Sequence, residues 1–82
     1  MSYYVYAIYS PALNSIYIGQ TGNIKKRFND HNKGYSKYTS KANDWTLVYS
    51  EECTSRANAL KREKQLKSAK GREFVWSNVP NK

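Results

Sequence analysis

Two short segments near the N-terminus, Tyr3 to Tyr9 and Ser15 to Gln20, most restrict what this chain can become. The first is dominated by aromatic and β-branched residues, and the second alternates Ile16 and Ile18 with Tyr17, so both read as strands. Ser10-Pro11-Ala12-Leu13-Asn14 between them is turn chemistry, which predicts a hairpin. One register is chemically sensible: Tyr6 opposite Tyr17, Val5 opposite Ile18 and Ala7 opposite Ile16, because opposed residues share a face. Val5, Ala7, Ile16 and Ile18 then point to a core. The other face carries Tyr4, Tyr6, Ile8 and Tyr17 outward, with Gly19 opposite Tyr4 leaving a gap, and is a candidate working surface.

After the hairpin, Asn23 offers an N-cap for a helix through about Asn32, anchored by Ile24 and Phe28, with Gly34 as its stop. Arg27 and His31 lie four apart and project from one face of it. Lys33 to Asp44 reads as a basic loop carrying Tyr35 and Tyr38, and Trp45 to Glu51 as a third strand. Thr54 or Ser55 then caps a second helix, with Ala59, Leu60 and Leu66 as its core stripe and a stop near Gly71. Arg72 to Trp76 adds a short final helical turn tied down by Phe74 and Trp76. The order β-β-α-β-α-(α) defines a small α/β (α+β) domain, a three-stranded antiparallel sheet backed by helices.

The chain's 82 residues leave room for one domain, 1–82, and no second module. Fourteen Lys and Arg against six Asp and Glu give +8, a field whose natural partner is a polyanion, with nucleic acid the leading candidate. Cys53 is the sole cysteine and His31 the sole histidine, so neither an internal disulfide nor a Cys/His zinc cluster is available. No leader-like or membrane-length apolar segment stands out, and the lysine-rich segments lack an inserting apolar face; a cytoplasmic, reducing setting without membrane is the expectation.

Glu63 is anomalous, because it falls on the second helix's stripe between Leu60 and Leu66. Burying it unpaired would cost several kcal/mol, so it needs a cation, a donor or a metal ion. Lys67 four residues on supplies the plain structural answer, a helix ion pair worth about 0.2 to 0.5 kcal/mol. Tyr6 and Tyr17 read singly are ordinary strand residues, and Arg27 with His31 an ordinary solvated face. No phosphate loop of the G-x-x-x-x-G-K type, nucleophile elbow or Cys–His pair is present. Two outward tyrosines, Arg27 with His31, and a stripe carboxylate together suit phosphodiester cleavage. One carboxylate can hold Mg²⁺ largely through water and phosphate oxygens, Arg can fork onto a phosphate, and a phenol or imidazole can accept a proton.

Tyr4-Val5-Tyr6, ten residues, Tyr17-Ile18-Gly19, Arg27 eight residues later and Glu63 in Ala-Leu-Lys-Arg-Glu make a spacing that resembles the GIY-YIG nuclease superfamily. The likeness is to small single-domain bacterial members similar to the nuclease domain of excinuclease C. His31 in Asp-His-Asn and Lys37-Tyr38-Thr39 are also typical of that group. Tyr4 replaces the name-giving first glycine. The resemblance implies an endonuclease hydrolysing DNA with one Mg²⁺ or Mn²⁺ held by Glu63. Arg27 would hold the scissile phosphate, Tyr6 and Tyr17 would orient or deprotonate water, and His31 would assist proton transfer. Which phenol is the base stays open. Lys26, Lys33, Lys37, Tyr38 and Lys41 would track nucleic acid, DNA ahead of RNA. Asn78, fifteen residues after Glu63, is either a site asparagine or a solvated one. The competing reading is a non-catalytic or partner-dependent nucleic-acid-binding module. A monomer, with or without a targeting protein, completes the expectation.

Overall fold

A computed structural model describes residues 2–33 and 41–79 of the chain, apart from the His31 side chain. The order is β1 (Tyr3–Ser10), β2 (Ser15–Thr21), α1 (Ile24–Asn32), β3 (Thr46–Cys53), α2 (Arg56–Lys67) and α3 (Ala69–Ser77). The three strands form one antiparallel sheet in the order β2-β1-β3, so β1 is central and β2 and β3 are edges. The sheet, the helices and their order match the sequence expectation.

The hairpin register differs from the expected one by two residues. Tyr6 lies opposite Gly19, Ala7 opposite Ile18, Ile8 opposite Tyr17 and Tyr9 opposite Ile16. A slip of two leaves every side chain on its face, so the face assignment survives while the cross-strand partners change. The turn explains the difference. Ser10 and Ser15 close the ladder, leaving a four-residue loop that needs Asn14 at φ 49°. Asp44 holds this loop: Ser10 Oγ donates to its carboxylate at 2.6 Å and the Ala12 amide at 2.9 Å. Those two donors keep the Asp44 carboxyl below its ordinary pKa.

Both faces of the sheet are covered. Val5, Ala7, Ile16, Ile18 and Cys53 pack beneath Ala59 and Leu66 of α2 and Val75 of α3, with Val79 closing the layer. On the opposite face Tyr6, Ile8 and Trp45 form a second cluster covered by Tyr17, Ile24, Phe28 and Ala42. The tyrosine face is therefore not an open surface: Tyr6 is only 2% exposed. Large side chains such as Tyr6 and Ile8 gain about 25 cal/mol per Å² by accepting α1 as a lid. Asn32, at the end of α1, exchanges hydrogen bonds with the Trp45 backbone at 2.9 and 3.1 Å, fastening the helix to the start of β3. The Asn23 cap forms, its Oδ1 accepting from the Lys26 amide at 3.1 Å. The expected stop at Gly34 lies outside the described residues.

Two expectations for the C-terminal part are corrected. Ser55 caps α2, accepting from the Asn58 amide, but the helix ends at Lys67 rather than near Gly71. Ser68 then caps α3 by accepting from the Gly71 amide, and α3 is a nine-residue helix instead of a single turn. Gly71 is needed for contact, not termination: a Cβ there would stand 2.2 Å from the Gln65 carbonyl oxygen and 2.4 Å from Leu66 Cα. Leu60 does not join the core stripe; it is 44% exposed, because Ala59 and Leu66 alone define the buried line of α2. Asn78 ends α3, its amide nitrogen donating to the Phe74 carbonyl at 2.9 Å.

Candidate active site

The register places a glycine where the central tyrosine needs space. Gly19 sits on the edge strand directly opposite Tyr6, and a Cβ on it would lie 2.8 Å from Tyr6 Oη and 3.2 Å from Tyr17 Cε1. The phenol therefore lies across the backbone of β2, reaching toward the open edge of the sheet. Tyr17, one pleat along the same face, meets it with ring centroids 6.4 Å apart and planes at 42°. The gap expected beside Gly19 thus exists, but it accommodates Tyr6 rather than facing Tyr4.

Arg27 comes to these phenols from α1. Ile24 and Phe28 bury themselves against the tyrosine face, and Arg27, three residues after Ile24 and flanking it on the helix surface, is turned toward Tyr6 and Tyr17. Its guanidinium hydrogen-bonds both phenols. Burial alone would lower the Arg27 pKa, but the phenol contacts outweigh that effect and hold the cation above its ordinary value. Tyr6 responds oppositely. Desolvation, then the neighbouring Tyr17, push its pKa up to about 12, while Arg27 pulls it down and the negative charge of Glu63 adds a small upward push. At neutral pH Tyr6 is a neutral phenol.

Glu63 approaches from the other side of the sheet, on α2. Its carboxylate is paired with Lys67, Nζ to Oε2 2.7 Å, so the ion pair legible in the sequence forms. Its charge adds only a minor upward push at Tyr6, and its partner Lys67 lines the recess at the open edge of β2. A recess lined by Leu60, Lys61, Glu63, Lys64 and Lys67 opens beside the carboxylate. A second recess is lined by Ile16, Tyr17, Ile18, Lys67 and Arg72; because it includes residues from both faces of β2, it follows the strand's open edge. Among the described residues no three His, Cys, Asp or Glu side chains converge as a metal cage. A lone carboxylate fits only an ion that keeps most of its ligands as water and phosphate oxygen, as Mg²⁺ does.

Of the residues singled out by sequence, Tyr6, Tyr17 and Arg27 are brought into contact, and Glu63 stands near enough for its charge to act on Tyr6. The His31 backbone continues α1 one turn beyond Arg27, while its side chain lies outside the described residues, as do Lys37 and Tyr38. Lys26 is exposed and pairs with Asp30 at 3.2 Å, and Lys33 and Lys41 are exposed. Lys67 and Arg72 join the site without having stood out in the sequence as site residues. Lys67, four residues beyond Glu63, is legible from helical spacing; Arg72 is not, because the break at Ser68 swings it back to β2.

These features define a class of basic α+β domain in which an arginine of α1 meets two phenols beside an edge strand and a carboxylate stands on the helix packed against the other face. Comparison with known proteins gives that class its family: the model of the GIY-YIG catalytic domain matches residues 2–75, and the chain belongs to that family. A UPF0213 protein of Limosilactobacillus reuteri is 44% identical over 64 residues, covering 74% of this chain and 66% of that one. A UPF0213 protein of Desulfotalea psychrophila is 38% identical over 80 residues, covering 90% and 71% respectively. The solution NMR structure of a UPF0213 protein from Bacillus halodurans superposes with a TM-score of 0.56 at 27% identity, covering 99% of this chain and 88% of that one.

Proposed function

We propose that the protein is a divalent-metal-dependent endonuclease acting on DNA, with Tyr6, Tyr17, Arg27, His31 and Glu63 as its working residues. The observation that supports this best is the contact of one guanidinium with two phenols at a sheet edge within reach of the Glu63 charge. A binding module would gain nothing from a carboxylate facing a polyanion.

Arg27 holds the scissile phosphate, since its fixed fork of donors matches phosphate oxygens and cannot lose its charge at working pH. Tyr6, neutral and buried, orients the attacking water through its hydroxyl and does not act as a base in the free protein. Tyr17, half-buried where Tyr6 is buried, is the more accessible of the two phenols to the attacking water and relays its proton, with His31 assisting. Glu63 is the residue that would hold Mg²⁺ or Mn²⁺, releasing Lys67 as it does so. A divalent ion there would supply positive charge to offset the negative charge that gathers on the phosphate during displacement. Lys26, Lys33, Lys37, Tyr38 and Lys41 contact the nucleic-acid backbone.

Incubation of supercoiled plasmid with the protein in Mg²⁺, Mn²⁺ or EDTA tests this reading. Nicking in either metal and none in EDTA is expected. Tight, salt-sensitive binding with no nicking in any metal, on plasmid or branched duplexes, would select the binding-module reading instead.

A further inference from the structure

Lys67 lines both recesses, so the one along α2 adjoins the one at the open edge of β2, and together they make a grooved basic surface. Its basic residues are Lys61, Lys64, Lys67 and Arg72. They are set against one carboxylate, Glu63. Lys61, Lys64 and Lys67 recur every three residues, which places like charges as neighbours on one helix face, an arrangement that costs an isolated helix about 0.2 to 0.5 kcal/mol per pair. Among the described residues neither Lys61 nor Lys64 is paired with an acid, whereas Arg62, on another face, is fixed to Glu51 at 3.1 Å. A helix solvated for stability alone would interleave carboxylates here. Leu60 lies at the far end of the groove with 44% of its surface exposed, an apolar contact that a pure salt-bridge face does not need.

From this groove we infer a second binding surface for substrate: α2 grips the sugar-phosphate backbone of one DNA strand as it leaves the scissile phosphate. The inference rests on the endonuclease reading above. Arg27 meets the scissile phosphate from the tyrosine face, and the α2 cations take up the same strand from the other side of the β2 edge. The six-residue span from Lys61 to Lys67 is about 9 Å at 1.5 Å per residue, enough to reach two neighbouring phosphates of one strand. Leu60 supplies an apolar contact for the sugar or base beyond them. Lys67 is freed for this role when Glu63 engages another cation, so strand binding and occupation of the carboxylate favour one another.

The test compares wild-type protein, Lys61→Ala with Lys64→Ala as a double variant, and Lys70→Ala, an exposed lysine outside both recesses. Binding of labelled single-stranded and duplex oligonucleotides is measured in EDTA between about 50 and 200 mM salt. Alanine is the stronger helix former, so the fold is retained, and circular dichroism verifies it. The double variant should lose about 1.4 from the slope of log K against log salt on single strands, two contacts at about 0.7 each, or about 1.8 on duplex. Lys70→Ala should leave the slope unchanged. A double-variant slope equal to wild type, with wild-type binding still steep, overturns the groove and spares the endonuclease reading. Wild-type binding that ignores salt overturns both. If the double variant instead loses only its affinity for phosphatidylserine vesicles, the groove is a membrane contact and the inference fails.

Discussion

Replacing Gly19 by alanine probes the arrangement of the site with a single methyl group. The new Cβ would lie 2.8 Å from Tyr6 Oη, 3.0 Å from Tyr6 Cζ and 3.2 Å from Tyr17 Cε1, against ordinary contacts of 3.4 to 4 Å. The phenol must therefore move by about 0.6 Å or more, that being the gap between 2.8 and 3.4 Å. It is not free to swing, because the ring is only 2% exposed and its hydroxyl is bonded to Arg27. Overpacking of this kind costs about 1 to 3 kcal/mol, and removing a glycine from a strand returns about 0.5 to 1 kcal/mol. The net loss is roughly 0 to 2.5 kcal/mol, or a fall in Tm of up to about 20 °C for a domain of this size. Nicking should suffer more, by about tenfold or greater, since a 1 Å misplacement near a reacting centre can cost on the order of a hundredfold. Thermal unfolding and plasmid nicking measured on one preparation read both effects. Adding Tyr6→Phe removes the closest clash and should restore part of the stability and none of the activity. A Gly19→Ala protein with undiminished Tm and wild-type nicking would refute the placement of Tyr6 over Gly19.

Tyr6 has a pKa of about 12 in the fold against about 10 in the unfolded chain, so its contribution to stability is complete below pH 10 and is lost as pH rises from 10 to 12. Tyr6→Phe should therefore flatten the fall of Tm across that interval, and a decline parallel to wild type would count against the burial argument. Arg27→Ala should weaken DNA binding in EDTA and nicking together, whereas His31→Ala should leave binding intact and lower nicking alone; wild-type nicking by both variants would remove them from the mechanism. Gly71→Ala drives a methyl into backbone at 2.2 and 2.4 Å, and should cost at least about 3 kcal/mol in chemical denaturation; a loss under about 1 kcal/mol would show that α2 and α3 can separate freely.

Much of this is legible in the sequence because periodicity reports which face a residue occupies. Val5, Ala7, Ile16 and Ile18 share the core face whether the hairpin pairs Tyr6 with Tyr17 or with Gly19, so pattern alone cannot fix the register. The register is set by the Ser10 to Ser15 turn and its tie to Asp44, a contact across thirty-four residues that no local pattern contains. The covering of Tyr6 by α1 depends on Asn32 reaching the Trp45 backbone, also non-local. Arg27, Tyr6 and Tyr17 come together as the motif spacing implies. Gly71 reads as a stop because glycine ends many helices. Here the backbones of α2 and α3 approach too closely for any side chain, and only the three-dimensional packing reveals that.

Glu63→Gln tests the proposed mechanism most directly. If the carboxylate serves only Lys67, whose side chain is half exposed, the substitution should cost a few tenths of a kcal/mol and leave activity intact. A metal-holding Glu63 predicts otherwise: plasmid nicking in Mg²⁺ collapses, the Tm stays within a few degrees of wild type, and DNA affinity in EDTA is equal or slightly tighter because a negative charge no longer faces the phosphates. A Glu63→Gln protein that nicks plasmid as fast as wild type would contradict it.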